Sequence, residues 1–156
     1  MSEVPDRSGA RPSHSSADPP TMLYLVKQVE LSIRSRMDDV LRSSGVTVLQ
    51  YTALSVLRRR DGLSSAELAR LSFVTAQAMG EMIATLEGRG LVVRTVDSDH
   101  GRRLSTSLTD AGRALLSAYD ERIAVLEETM LADLTNLQRE RLRDSLDRCR
   151  VALNHE

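Results

Sequence analysis

From position 22 onward the chain alternates between stretches of helical period and short polar breaks, and the breaks divide it into elements. Val26, Val29, Ile33, Met37 and Val40 recur at spacings of three and four, which places them on one stripe of a helix ending near Leu41. Ser43-Ser44-Gly45 closes it, with Gly45 suited to a left-handed cap. Thr47, followed three residues later by Gln50, has the form of a capping box and opens a second helix. Leu49, Ala53, Leu54, Val56 and Leu57 form its expected buried face. Arg58, Arg59 and Arg60 gather at its end, where cations suit the helix dipole, and Asp61-Gly62 is a turn.

Ser64 with Glu67 repeats the capping-box pattern, so a brief third helix is expected over Ser65–Leu71, with Leu63 in a short strand just before it. Thr75 can cap a fourth helix whose core stripe is Met79, Ile83 and Leu86, until Gly88 and Gly90 stop it. Two short helices joined by a tight connection make a helix-turn-helix. Leu91 to Val96 is β-branched, Asp97 to Gly101 is a polar tip, and Arg102 to Leu108 alternates apolar with polar, which together predict a hairpin. Leu115 or Leu116, Tyr119, Ile123, Leu126 and Met130 then share a helical stripe. A Thr135 to Gln138 capping box introduces another, carrying Leu142, Leu146, Cys149 and Leu153. These faces are too extensive for the small core beside them. The first and terminal helices are therefore expected to bury them on a second copy of the chain, as a two-fold dimer.

Composition narrows the function classes. The 156 residues hold 21 Lys and Arg against 22 Asp and Glu, for a formal net charge of -1, so any polyanion site must be local. One cysteine leaves no intramolecular disulfide or Cys-based zinc cluster and points to a reducing, cytoplasmic setting. No apolar run approaches a membrane span, and the start of the chain lacks a signal peptide's apolar middle. Residues 1–20 are rich in Ser, Pro, Gly and Asp and read as a disordered tail. The three histidines, His14, His100 and His155, fall in the tail, on the wing tip and at the chain end. They form neither a metal cluster nor a base beside a nucleophile. No phosphate-cradling glycine motif occurs. No enzyme activity, cofactor or metal is expected.

The run from Thr47 to Gly112 resembles the winged helix-turn-helix core of the MarR family of bacterial transcription regulators. Three features carry the resemblance together: the L-E-x-x-G-L-V exit from the fourth helix at Leu86 to Val92, the acidic wing ending at Arg102, and the Leu108-Thr109-x-x-Gly112 entry to the next helix. The expected fold is mainly α with a small β-hairpin wing. Its segments would be a tail (1–20), a dimerisation helix (21–45), a winged helix-turn-helix (46–113) and C-terminal dimerisation helices (114–156). The resemblance implies a homodimer that binds a pseudo-palindromic operator in double-stranded DNA and is released by a small, often aromatic or phenolic, effector or by cysteine oxidation. Cys149 lies on an apolar stripe, a setting that suppresses thiol reactivity.

An α-helix fits the major groove, and the face of the fourth helix opposite its core stripe offers Thr75, Gln77, Ala78 and Glu81. Gln77 can pair bidentately with adenine, and Thr75 or the helix's first amides can meet a phosphate. Glu81 departs from the basic or neutral residue that many family members carry. Its carboxylate either accepts from cytosine, pairs with an arginine or is repelled by phosphates. On the wing, Arg102 matches the family's arginine and suits a narrow minor groove. Asp99 can brace it, and Arg94 and Arg103 can meet phosphates. Arg58 to Arg60 read equally well as phosphate contacts or as solvated surface. The family's effector pocket lies between the dimerisation helices and the DNA-binding lobe, which makes Tyr24, Met37, Tyr51 and Tyr119 candidate lining residues. A Tyr or Met at helical spacing is more often plain core. The alternative of another class is a winged helix used to bind a protein partner rather than DNA, which near-zero net charge and Glu81 favour slightly.

Overall fold

The computed structural model describes residues 18–97, 101 and 103–153; residues 1–17 of the tail, with His14, and Asp99, His100, Arg102 and His155 lie outside the described residues. Six helices and one antiparallel hairpin follow in the order α1 (Met22–Leu41), α2 (Val48–Arg59), α3 (Ser65–Leu71), α4 (Ala76–Gly88), β1 (Val92–Asp97), β2 (Arg103–Leu108), α5 (Asp110–Met130) and α6 (Asn136–Leu153). Capping residues set most of the helix starts. Both halves of the box are formed at Thr47 with Gln50 and at Ser64 with Glu67. Thr135 and Gln138 bond reciprocally before α6, and Thr75 and Thr109 accept the Ala78 and Gly112 amides at the starts of α4 and α5.

The core forms where α2, α3, α4, the base of the hairpin and α5 meet, around Leu54, Leu57, Leu68, Met79, Ile83, Leu86 and Leu116. In the hairpin, Val92 pairs with Leu108 and Thr95 with Ser105. A single bridge between Leu63 and Thr106 adds a third strand position, with the Thr106 amide donating to the Leu63 carbonyl at 2.8 Å. The buried face of α2 differs from the expected one. Leu49 is exposed and Val56 only half-buried, whereas Tyr51 is buried. Leu49 and Val56 lie at one margin of the apolar stripe, and α2 docks through its other side, which carries Tyr51, Leu54 and Leu57.

Outside this lobe the helices are poorly covered. No residue of α6 is buried, and in α1 only Leu41 is. Cys149, expected on a covered stripe, is exposed in the single chain. No described helix is long and apolar enough to cross a membrane.

Candidate nucleic-acid interface

α4 is held by its ends and by one face. Met79, Ile83 and Leu86 are buried, while Thr75, Gln77, Ala78 and Glu81 are exposed. One lone pair of the Thr75 hydroxyl is used by the Ala78 amide at 3.1 Å, which leaves its O–H and the helix's first amides for an anion. The exit is a Schellman motif: the Gly90 amide donates to the Glu87 carbonyl at 2.9 Å and the Leu91 amide to the Leu86 carbonyl at 2.9 Å. Gly90 supplies the required positive φ of 70°, and Leu86 and Leu91 are both buried. The L-E-x-x-G-L-V pattern is thus a helix stop that turns the chain directly into β1.

α3 ends in the same way just before α4 begins. The Phe73 amide donates to Arg70 and the Val74 amide to Ala69, so Phe73 takes the left-handed position at φ 58° that is usually left to glycine. The residue is 79% exposed.

The two wing arginines within the described residues, Arg94 and Arg103, both have carboxylate partners in the protein itself and stay partly exposed. The Arg94 Nε donates to Glu87 Oε2 at 2.9 Å, with a second guanidinium nitrogen on the same oxygen. These bonds hold the Glu87 carboxyl below its ordinary range. Arg103 donates to Ser64 Oγ at 3.1 Å and to the Glu67 carboxylate. The Ser64 amide and hydroxyl also donate to that carboxylate, at 2.9 and 2.8 Å. The Ser64 backbone bond first, then its hydroxyl and then Arg103, lower the Glu67 pKa from 4.5 to about 2. Both ion pairs lash the hairpin to the helix-turn-helix, one to the end of α4 and one to the start of α3. The periodicity of the sequence carries no sign of these pairings, because the partners lie seven and 36 residues apart. Arg58, part of the α2 cluster, pairs with Asp120 of α5 at 2.8 Å.

The four candidate pocket residues differ in their surroundings. Tyr51 is in the core, where burial raises its pKa. Tyr24 is exposed and its hydroxyl accepts from Gln28 at 2.9 Å. Tyr119 lies 3.0 Å from the Ser43 hydroxyl, with Arg122 over its ring at 5.5 Å. Met37 lines a groove of about 530 Å3 bounded by Ile33 of α1, Val48 and Leu49 of α2, and Ser72 and Phe73 of the α3–α4 turn. Arg34, Glu30 and Thr52 supply its polar groups. Ser72 is buried and its hydroxyl has no partner among the described residues. The groove's α1 wall is the expected stripe Val26, Val29, Ile33 and Met37, whereas its other wall, from the stripe-margin residue Leu49 and the turn, carries no sign in the sequence. Arg89 also went unforeseen; it donates to the Ser44 carbonyl at 3.3 Å and to that of Gly45, joining the end of α4 to the α1–α2 turn.

Residues 44–103 match the model of the MarR family. The HTH-type transcriptional repressor Rv2887 of Mycobacterium tuberculosis is 34% identical over 132 residues, which cover 85% of this chain and 95% of the relative. Among solved structures, the Mycobacterium tuberculosis MarR family protein Rv2887 in complex with salicylic acid matches with a TM-score of 0.68 and 34% identity, over 85% of this chain and 98% of that one. Its complex with DNA matches with a TM-score of 0.67 and 30% identity, over 84% and 98%.

Proposed function

Because the chain belongs to the MarR family of DNA-binding transcription regulators, we propose that it acts as a repressor, binding a pseudo-palindromic operator as a homodimer and leaving it when a small aromatic molecule binds. The observation that carries this reading is α4: a helix capped at both ends, sealed on one face and bare on the other, with a hairpin braced beside it. In this reading 46–113 is the DNA-binding unit, with Gln77 on an adenine, Thr75 on a phosphate, Ala78 and Glu81 on the same helix face, and Arg102 braced by Asp99 in the minor groove. Arg94 and Arg103 orient the wing through their pairs with Glu87 and Glu67 and turn their remaining N–H donors to phosphates.

What supports a dimer is the uncovered apolar surface of the flanking segments 21–45 and 114–156. Met22, Leu23, Leu146 and Leu153 are exposed, at about 25 cal/mol per Å2 of apolar area that association would remove from water. For the effector, the groove beneath the α3–α4 turn combines apolar walls with Arg34, Thr52 and Glu30, a set suited to a small aromatic phenol or carboxylate held by Arg34. The relative Rv2887 has been crystallised with salicylic acid. The position of this chain's groove under the turn that leads into α4 would let a ligand there move the recognition helix.

Selection of bound duplexes from a random pool tests this reading. The expected product is an inverted repeat with half-sites about one helical turn apart, bound with a steep loss of affinity as salt rises and released by salicylate. A shallow salt dependence with no enriched repeat would instead favour a protein-binding module.

A further inference from the structure

The outer face of α4 carries a pattern that general affinity for DNA does not require. At about 100° per residue, Gln77, Gly80, Glu81 and Ala84 fall on one side of the helix, opposite Met79, Ile83 and Leu86, and all four are exposed. Gln77 and Glu81 are the only long side chains among them. Neither side chain makes a hydrogen bond or ion pair among the described residues; at Glu81 it is the backbone carbonyl that accepts, from the Thr85 hydroxyl. Gly80 is the odd member. Glycine weakens a helix interior relative to alanine, yet a Cβ built there meets nothing within 4 Å. Packing among the described residues therefore gives no reason for its bareness.

We propose that Glu81 is a specificity-determining residue that accepts a hydrogen bond from the amino group of a cytosine in the major groove, and that Gly80 is left bare so that α4 can approach closely enough for that contact. The proposal rests on the reading of α4 as the recognition helix. An ionised carboxylate only accepts, so it is repelled by the acceptor edges of guanine and by O4 of thymine. Adenine offers an amino donor but sets the N7 acceptor beside it, whereas the amino group of cytosine stands alone at its edge. Gln77, with both a donor and an acceptor, fits the adenine pair of groups instead. Four residues of helix rise about 6 Å, which spans about two base steps of 3.4 Å. The half-site should hold the adenine and the cytosine about two base pairs apart. Repulsion between the carboxylate and phosphates weakens binding to every duplex that lacks the cytosine, which raises specificity by disfavouring wrong partners.

Duplex selection and titration with the full-length protein and with Glu81→Gln, Glu81→Ala and Gly80→Ala test the proposal. The wild type should require a C·G pair at one position of each half-site. Glu81→Gln should shift that position toward adenine, and Glu81→Ala should relax it, with discrimination falling about five- to hundredfold, the range of one base-edge contact. Affinity for unrelated duplex should hold or rise. Gly80→Ala should melt at a higher temperature than the wild type yet bind the operator more weakly. If the wild type selects a motif and both Glu81 variants keep its base preference, or lose affinity equally for all duplexes, the role of Glu81 is overturned. Wild-type affinity in Gly80→Ala overturns the role of Gly80. A wild type that enriches no motif would overturn the reading of α4 itself, an outcome distinct from these.

Discussion

At the scale of single residues, Phe73 and Glu67 show conformational strain and electrostatics acting beside the same helix-turn-helix. Phe73 occupies the left-handed end position of α3 at φ 58°, where a residue with a Cβ pays about 1–2 kcal/mol that glycine avoids. The residue is largely exposed, so little burial offsets the strain. Phe73→Gly should therefore raise stability by about 0.5–1 kcal/mol after the added chain entropy of glycine, as measured by urea unfolding; a less stable variant would mean that the ring packs against something in the assembled protein. Glu67 titrates at about 2 in the folded chain against 4.5 ordinarily. A depressed carboxyl pKa contributes stability above 4.5 that is lost as pH falls toward 2. The gap in melting temperature between wild type and Glu67→Gln should be widest near neutrality and should close across that window.

Between elements, short polar ties hold the recognition unit together. Arg89 spans from the C-terminal end of α4 to the carbonyls of Ser44 and Gly45, the turn that separates α1 from α2. Its replacement by alanine removes both bonds from an exposed site, at about 0.5–1.5 kcal/mol. Hydrogen exchange should quicken at residues 43–47 more than in the core of α2; uniform change would show that the tie is not local. Gly112 does the opposite work by absence of a side chain. A Cβ there would lie 2.2 Å from the Leu91 carbonyl oxygen, so Gly112→Ala must push α5 away from the end of α4. The expected cost is about 1–3 kcal/mol, read as a lower denaturant midpoint.

At the scale of the whole molecule, the lobe around Leu54 and Met79 is well filled, whereas α6 and most of α1 expose their apolar sides. Deleting residues 135–156 removes Leu142, Leu146 and Leu153, each worth about 1.5–3 kcal/mol if fully buried on a partner. The truncated chain should sediment as a monomer or precipitate. Operator binding should then fall to near its non-specific level, because a monomer forfeits the effective concentration of the second half-site. A full-length monomer that binds the full operator specifically would overturn the dimeric reading.

The amino-acid sequence by itself determined where the helices begin and stop and which side of each turns inward at α4. Capping boxes at Thr47 and Ser64, the glycine of the α4 stop and the stripe Met79, Ile83 and Leu86 act over a few residues, and such short-range chemistry is written in consecutive letters. The exposed positions of α4 followed from the same stripe, so that face of the candidate site was legible before any coordinates. Only the tertiary structure decided what the charges do. The partners of Arg94 and Arg103, Glu87 and Glu67, come near only when the hairpin folds back on the helices. It also decided the stripe margins, exchanging Leu49 for Tyr51 in the core, and it made the groove under Phe73, since margin residues and turns acquire neighbours only from the way elements dock.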